Sequence, residues 1–148
     1  MEPMEPKKTR ILLVDDDEDT RFMVRDAIEE SNLDPEIYEV ESGEEAIEFL
    51  SRTGKFSDCP LPELIFLDLE MPGIGGLNTL REIRSREDFR YIPVVVMTNI
   101  DDDREKKRAA EFGANSYTVK PSDPDRFIET VKDATRYWSR VHRRPHEE

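Results

Sequence analysis

Three short apolar runs in this chain each stop dead at a polar side chain. Ile11-Leu12-Leu13-Val14 meets Asp15-Asp16-Asp17, Leu64-Ile65-Phe66-Leu67 meets Asp68, and Val94-Val95-Val96-Met97 meets Thr98. A fourth stretch, Ser116-Tyr117-Thr118-Val119, ends in Lys120-Pro121. Runs of this length are too short for a helix, and unbroken apolar character without alternation marks a parallel strand buried on both faces. Between the runs the spacing of apolar residues turns helical. It does so at Phe22, Met23, Ala27 and Ile28, at Ala46, Ile47, Phe49 and Leu50, at Leu77, Leu80 and Ile83, and from Phe127 through Trp138.

Turn chemistry supplies the punctuation. Leu33-Asp34-Pro35 separates the first helix from a second strand at Ile37, Tyr38 and Val40, and Ser42-Gly43 opens the next helix, which Gly54 is expected to end. Residues 55–63 read as an extended connection held by Pro60 and Pro62. Pro72, Gly73, Gly75 and Gly76 break the chain after Asp68, and the third helix is expected to run to about Glu87. Asp101-Asp102-Asp103 puts acids at the positive end of a fourth helix that Gly113 closes.

Strict alternation of strand and helix predicts an α/β fold. The expected architecture is a doubly wound five-stranded parallel sheet, with right-handed crossovers placing helices on both faces. In such sheets ligands bind beyond the carboxyl ends of the strands. An acid pair, Asp68, a hydroxyl and an ammonium then converge on one edge, a set suited to a divalent cation and a phosphoryl group. A first strand and a central strand that share a site should be neighbours, which suits the order 2-1-3-4-5.

Composition narrows the function classes. The 148 residues suffice for one domain, expected at 8–140 between flexible segments 1–7 and 141–148. A formal net charge of -13 argues against binding nucleic acid, whose phosphates an acidic surface repels. No apolar run approaches the roughly 20 residues of a membrane span, so a cytoplasmic protein is expected. The single Cys59 has no partner for an internal disulfide and reads as a spacer residue. His142 and His146 stand in an Arg-rich tail beside Pro145, which reads as a tail and not as a metal site.

The motifs Ile-Leu-Leu-Val-Asp-Asp at 11–16, Leu-Asp-Leu-Glu-Met-Pro-Gly at 67–73, Val-Val-Met-Thr at 95–98 and Tyr-Thr-Val-Lys-Pro at 117–121 carry a family resemblance. Over residues 8–138 the chain resembles a response-regulator receiver domain of the stand-alone chemotaxis-regulator type, with its flavodoxin-like fold. The resemblance implies that Asp68 accepts a phosphoryl group from the phosphohistidine of a sensor histidine kinase. It implies Mg²⁺ held by Asp16, Asp68 and the backbone carbonyl of Glu70, with Asp15 acting through a metal-bound water. Thr98 and Lys120 would hold phosphoryl oxygens, Thr98 and Tyr117 would form a conformational switch, and Lys120-Pro121 would be a cis peptide.

Departures from the family pattern are informative. Asn99 is larger than the small residue usual there and is expected to narrow access. Gly75 replaces a common Asp, which points to a looser turn. Glu70 and Ile100 occupy positions that tune phosphoryl loss, and Ile100 is expected to slow it. The 55–63 loop and the aromatic pair Tyr137-Trp138 on the last helix resemble receivers that partner phytochrome-type kinases. A homodimer is implied through the face of the fourth helix, fifth strand and fifth helix, or through the last-helix extension. Output is expected through protein contacts. The competing reading is a phosphorylation-independent interaction module of the same fold. A flavin protein would need a Ser/Thr/Gly-rich phosphate loop where this chain has three aspartates, and a haloacid-dehalogenase phosphatase would need Asp-x-Asp where it has Asp68-Leu-Glu.

Overall fold

The unbroken apolar runs become the inner strands of a five-stranded sheet. In a computed structural model, which describes residues 8–31 and 33–140, the strands are β1 (Thr9–Val14), β2 (Pro35–Val40), β3 (Leu64–Leu67), β4 (Val94–Thr98) and β5 (Ser116–Val119). The helices are α1 (Glu18–Glu29), α2 (Gly43–Ser51), α3 (Gly75–Ser85), α4 (Asp103–Glu111) and α5 (Pro124–Arg140). All pairings are parallel, and the order is β2-β1-β3-β4-β5, as expected.

Side chains alternate across the sheet, so each inner strand feeds two cores. Leu12, Val14, Ile65, Leu67, Val94 and Val96 pack with α2 and α3 through Ala46, Phe49, Leu50, Leu80 and Ile83. Ile11, Leu13, Leu64, Phe66, Val95 and Met97 pack with α1 and α5 through Val24, Ala27, Ile28, Phe127 and Val131. The edge strands bury less: every residue of β5, and all of β2 except Val40, is only half-buried.

Several local expectations are corrected. Phe22 is 59% exposed and does not pack on the sheet. The buried stripe of α1 is set by Val24, Ala27 and Ile28, and Phe22 lies two residues from Val24, about 200° round the helix. Arg21 takes the inward place instead. Helix α2 ends at Ser51 rather than Gly54, because Arg52 adopts a left-handed conformation (φ 57°) and the Arg52 and Thr53 N–H groups close back on Phe49 O and Glu48 O. Helix α3 stops at Ser85, two residues short of the expected end, where Arg86 is extended.

The 55–63 connection is not simply extended. Gly54–Phe56 form one 3-10 turn, and Phe56 sits 5.3 Å from the ring of Phe49. Cys59 and Leu61 pack on the same core, so the thiol is half-buried packing and not a spacer in solvent. Trp138 packs on the α1/α5 core, whereas its neighbour Tyr137 is 54% exposed. The segments 1–7 and 141–148, with His142 and His146, lie outside the described residues.

Candidate functional site

Strand register brings the expected residues together. Val14 pairs with Leu67, and Leu67 with Val96, so Asp15 and Asp68 are the first residues past neighbouring strand ends, with Thr98 closing β4 beside them. Thr98 in turn pairs with Val119, which sets Lys120 next to the acids. The Lys120 N–H donates to Thr98 O at 2.7 Å, tying the two strand ends.

Asp15, Asp16 and Asp68 each offer a carboxylate oxygen, all within 4.8 Å of one another. Asp15 and Asp68 are buried and Asp16 is exposed, so the cluster opens to solvent on one side. Hard oxygen donors in this number suit a divalent cation of the Mg, Ca or Mn type, and the residues present fit such an ion. The two oxygens of Asp15 already have partners: Oδ1 accepts from Asp17 N–H at 2.9 Å and Oδ2 from Lys120 Nζ at 3.2 Å. Asp17 belongs to the helix and not to the cluster. It caps α1, accepting from Asp19 N–H and from the Thr20 hydroxyl, and the Thr20 bond chiefly holds its carboxyl below the ordinary range.

Asp68 is perturbed in the opposite direction. Burial pushes its pKa up to about 6. The Lys120 ammonium and the Glu70 N–H pull it down, and the Asp15 charge pushes it further up. The Glu70 N–H bonds Asp68 Oδ1 at 3.2 Å, which fixes that side chain to the chain that follows. Close approach there requires Gly76: a Cβ would stand 2.4 Å from Leu69 Cα and 2.5 Å from Asp68 O. Gly75 takes φ 79°, a left-handed conformation that glycine adopts without strain.

Thr98 is fully buried, and its Oγ1 accepts from Ile100 N–H at 3.2 Å. Tyr117 is half-buried and donates its hydroxyl to Ile100 O at 2.8 Å, so the proposed switch pair meets at one residue. Asn99 is exposed on the wall of a groove of about 290 Å³ that also touches Thr20, Met23, Lys120, Pro121 and Phe127. The expected cis peptide at Lys120-Pro121 is absent: no cis bond occurs among the described residues. The reason is intrinsic, since trans is the favoured isomer at X-Pro, and the ammonium reaches both acids from the trans form.

One functional feature escaped the sequence reading. Arg21 is buried and donates from Nη1 to the main-chain oxygen of Asp15 at 2.6 Å and from Nε to Glu39 Oε1 at 3.0 Å. Its signal lay in helical phase, because positions 21, 24 and 28 form one stripe.

Comparison with known proteins agrees with this geometry. The chain is 30% identical to the response regulator Rcp1 of Synechocystis sp. over 128 residues, covering 86% of this chain and 87% of that protein. The crystal structure of the phosphorylated cyanobacterial phytochrome response regulator RcpA superposes with a TM-score of 0.89 at 27% identity, covering 94% of this chain and 99% of that one. The Mn²⁺-bound form of Rcp1 superposes with a TM-score of 0.86 at 29% identity, covering 93% and 99%. The family described as the response regulator receiver domain matches residues 11–132. That match takes in β1 from Ile11, the other four strands whole and the acid cluster at their ends, and the chain belongs to the response regulator receiver domain family.

Proposed function

We propose that Asp68 is the phosphoryl acceptor of a two-component phosphorelay, charged by the phosphohistidine of a sensor histidine kinase. The observation that carries this reading is the pair formed by a buried carboxylate of raised pKa and a lysine that also faces Asp15. At pH 7 a group of pKa about 6 is ionised roughly ten to one, so the nucleophile is available. One oxygen of Asp68 forms the new P–O bond as the P–N bond breaks, and the electron pair leaves on the imidazole nitrogen. Lys120 and the Thr98 hydroxyl hold phosphoryl oxygens as charge spreads over them. Asp16, Asp68 and the backbone carbonyl of Glu70 would hold Mg²⁺, with Asp15 acting through a metal-bound water, as the family resemblance implies. A cation held by these residues would offset the charge of the carboxylates and of the arriving phosphoryl group. Glu70 and Ile100, each two residues past a site residue, would set how fast the acyl phosphate is lost.

The likeness to Rcp1 and RcpA supports a phytochrome-type kinase as partner. The groove beside Lys120, lined by Thr20, Met23, Asn99 and Pro121, offers a surface on which a donor protein could seat next to the acceptor. Exposed Tyr137, stacked edge-on to Trp138 at 4.9 Å, supports self-association through the last helix, with the α4-β5-α5 face as the alternative surface. No helix among the described residues is long and apolar enough to cross a membrane, and a cytoplasmic site of action fits a kinase partner. The test is incubation with acetyl phosphate and Mg²⁺, followed by intact mass. A single base-labile phosphoryl adduct that Asp68→Asn abolishes is expected. An unmodified wild-type chain would leave the phosphorylation-independent module as the reading.

A further inference from the structure

The acid cluster rests on a feature that touches neither cation nor phosphoryl group. Asp15 is held at every polar atom: its N–H donates to Val40 O, its carboxylate accepts from Asp17 and Lys120, and its carbonyl accepts from Arg21. The Arg21 contact is the one made by a side chain from the next helix, and it is itself aimed from outside. Glu39 in β2 shares the α1 side of the sheet with Ile37, two residues before it, and takes both the Arg21 Nε and the Arg25 guanidinium. Glu41 adds a longer ion pair at 3.7 Å. The planar guanidinium thus hydrogen-bonds Glu39 of β2 and the end of β1 from two separate nitrogens and faces Glu41 with the third, a spread that an ammonium, with all its donors on one nitrogen, does not match.

A buried ion pair contributes little to stability against an apolar replacement, because desolvation offsets the attraction. Fixing one arrangement of the groups around it is the role left to such a pair. We propose that Arg21, oriented by Glu39, is a positioning residue that sets the Asp15-Asp16 turn and so aims the Asp16 carboxylate for the divalent cation. The inference rests on the cation-site reading above. It carries a sign that separates it from simple electrostatics. A positive charge beside an acid cluster repels a cation, so if Arg21 acted only as a charge, its removal would tighten Mg²⁺ binding. If it positions the turn, removal weakens binding even though repulsion is relieved.

The experiment measures Mg²⁺ binding alone by titration calorimetry for the full chain and for Arg21→Lys, Arg21→Met, Glu39→Gln and Asp16→Asn, with circular dichroism and melting as checks on folding. Groups that orient metal ligands typically change affinity by about 10–100-fold when altered. We expect weakening of about tenfold or more for both Arg21 variants and about threefold for Glu39→Gln. Arg21→Lys keeps the charge and loses the fork, so binding within twofold of wild type in that variant overturns the proposal, as does tighter binding by Arg21→Met. Should the Arg21 variants fail to fold, Glu39→Gln decides, and an unchanged affinity overturns the proposal. A wild-type chain that binds no Mg²⁺, or an Asp16→Asn variant that binds normally, would instead sink the cation-site reading itself.

Discussion

Lys120 Nζ stands 3.2 Å from Asp15 Oδ2 and 3.9 Å from Asp68 Oδ2, so one ammonium from the end of β5 bridges carboxylates from the ends of β1 and β3. It opposes the burial that raises Asp68. Lys120→Met should therefore lift the Asp68 pKa further above about 6, as read from its ¹³C carboxyl shift during a titration without metal. Phosphorylation by acetyl phosphate should slow by about 10²-fold or more, since a charge that stabilises the transferring group is lost. An unchanged carboxyl titration would show that the ammonium does not act on Asp68.

The raised pKa of Asp68 has a consequence for stability. Its folded value of about 6 exceeds the unfolded value of about 3.9, so the folded protein binds the proton more tightly between those values. This group's contribution is most favourable below about pH 4 and is lost as pH rises through about 6, leaving a cost on the order of 2–3 kcal/mol at neutral pH. Asp68→Asn should therefore be the more stable chain at pH 7.5, with its advantage shrinking toward pH 4.5. Denaturant melts of both proteins across that range measure the difference, which cancels the other carboxylates.

Gly76 lets the start of α3 lie against the backbone of Asp68 and Leu69. An alanine Cβ at 2.4 Å from Leu69 Cα has no flexible neighbour to displace, so the strand end must shift. Gly76→Ala should lower stability by about 1–3 kcal/mol. It should also impair phosphorylation of the fraction that remains folded, because Asp68 moves with its own carbonyl. Gly54→Ala separates the two sources of the loss, since Gly54 has open space around it but a φ of 59°, so an alanine there strains the backbone without a clash.

The site was legible in the sequence where burial is two-sided. β1, β3 and β4 show as continuous apolar runs, and the residue that ends each run is placed by strand register alone. Arg21 and Glu39 were not legible. Each reads as an ordinary surface charge until helix phase and strand alternation are combined across two elements that only the sheet order makes neighbours. Phe22 misled for the complementary reason, since an aromatic residue invites burial while its position on α1 points to solvent. In the 55–63 connection the prolines suggested extension, but Phe56 gains more by reaching the ring of Phe49 through a single tight turn.

Thr98 and Tyr117 meet at Ile100, one through its N–H and the other through its carbonyl. If the Thr98 hydroxyl turns toward a phosphoryl oxygen, both bonds are disturbed together. Beryllium fluoride with Mg²⁺ should then shift the Ile100 amide and the Tyr117 ring resonances in concert. Thr98→Ala should separate them, leaving Tyr117 close to its resting shift when the acceptor is occupied. A Tyr117 response that persists in Thr98→Ala would remove Thr98 from the switch.

The role proposed for Ile100 is to lengthen the survival of an acyl phosphate on Asp68. Its backbone is fixed by those two hydrogen bonds, and its half-buried, branched side chain follows directly after exposed Asn99 at the mouth of the site. Hydrolysis needs a water in line with the P–O bond to Asp68, and an apolar side chain offers that water no hydrogen bond while occupying space. Ile100→Ser leaves the backbone contacts in place and gives both room and a polar partner, so phosphoryl loss should speed up by several-fold to about tenfold, roughly 1 kcal/mol in the barrier. The decay of the base-labile adduct by intact mass, after removal of the donor, measures it. Equal lifetimes for the two proteins would show that water reaches Asp68 by a path Ile100 does not guard.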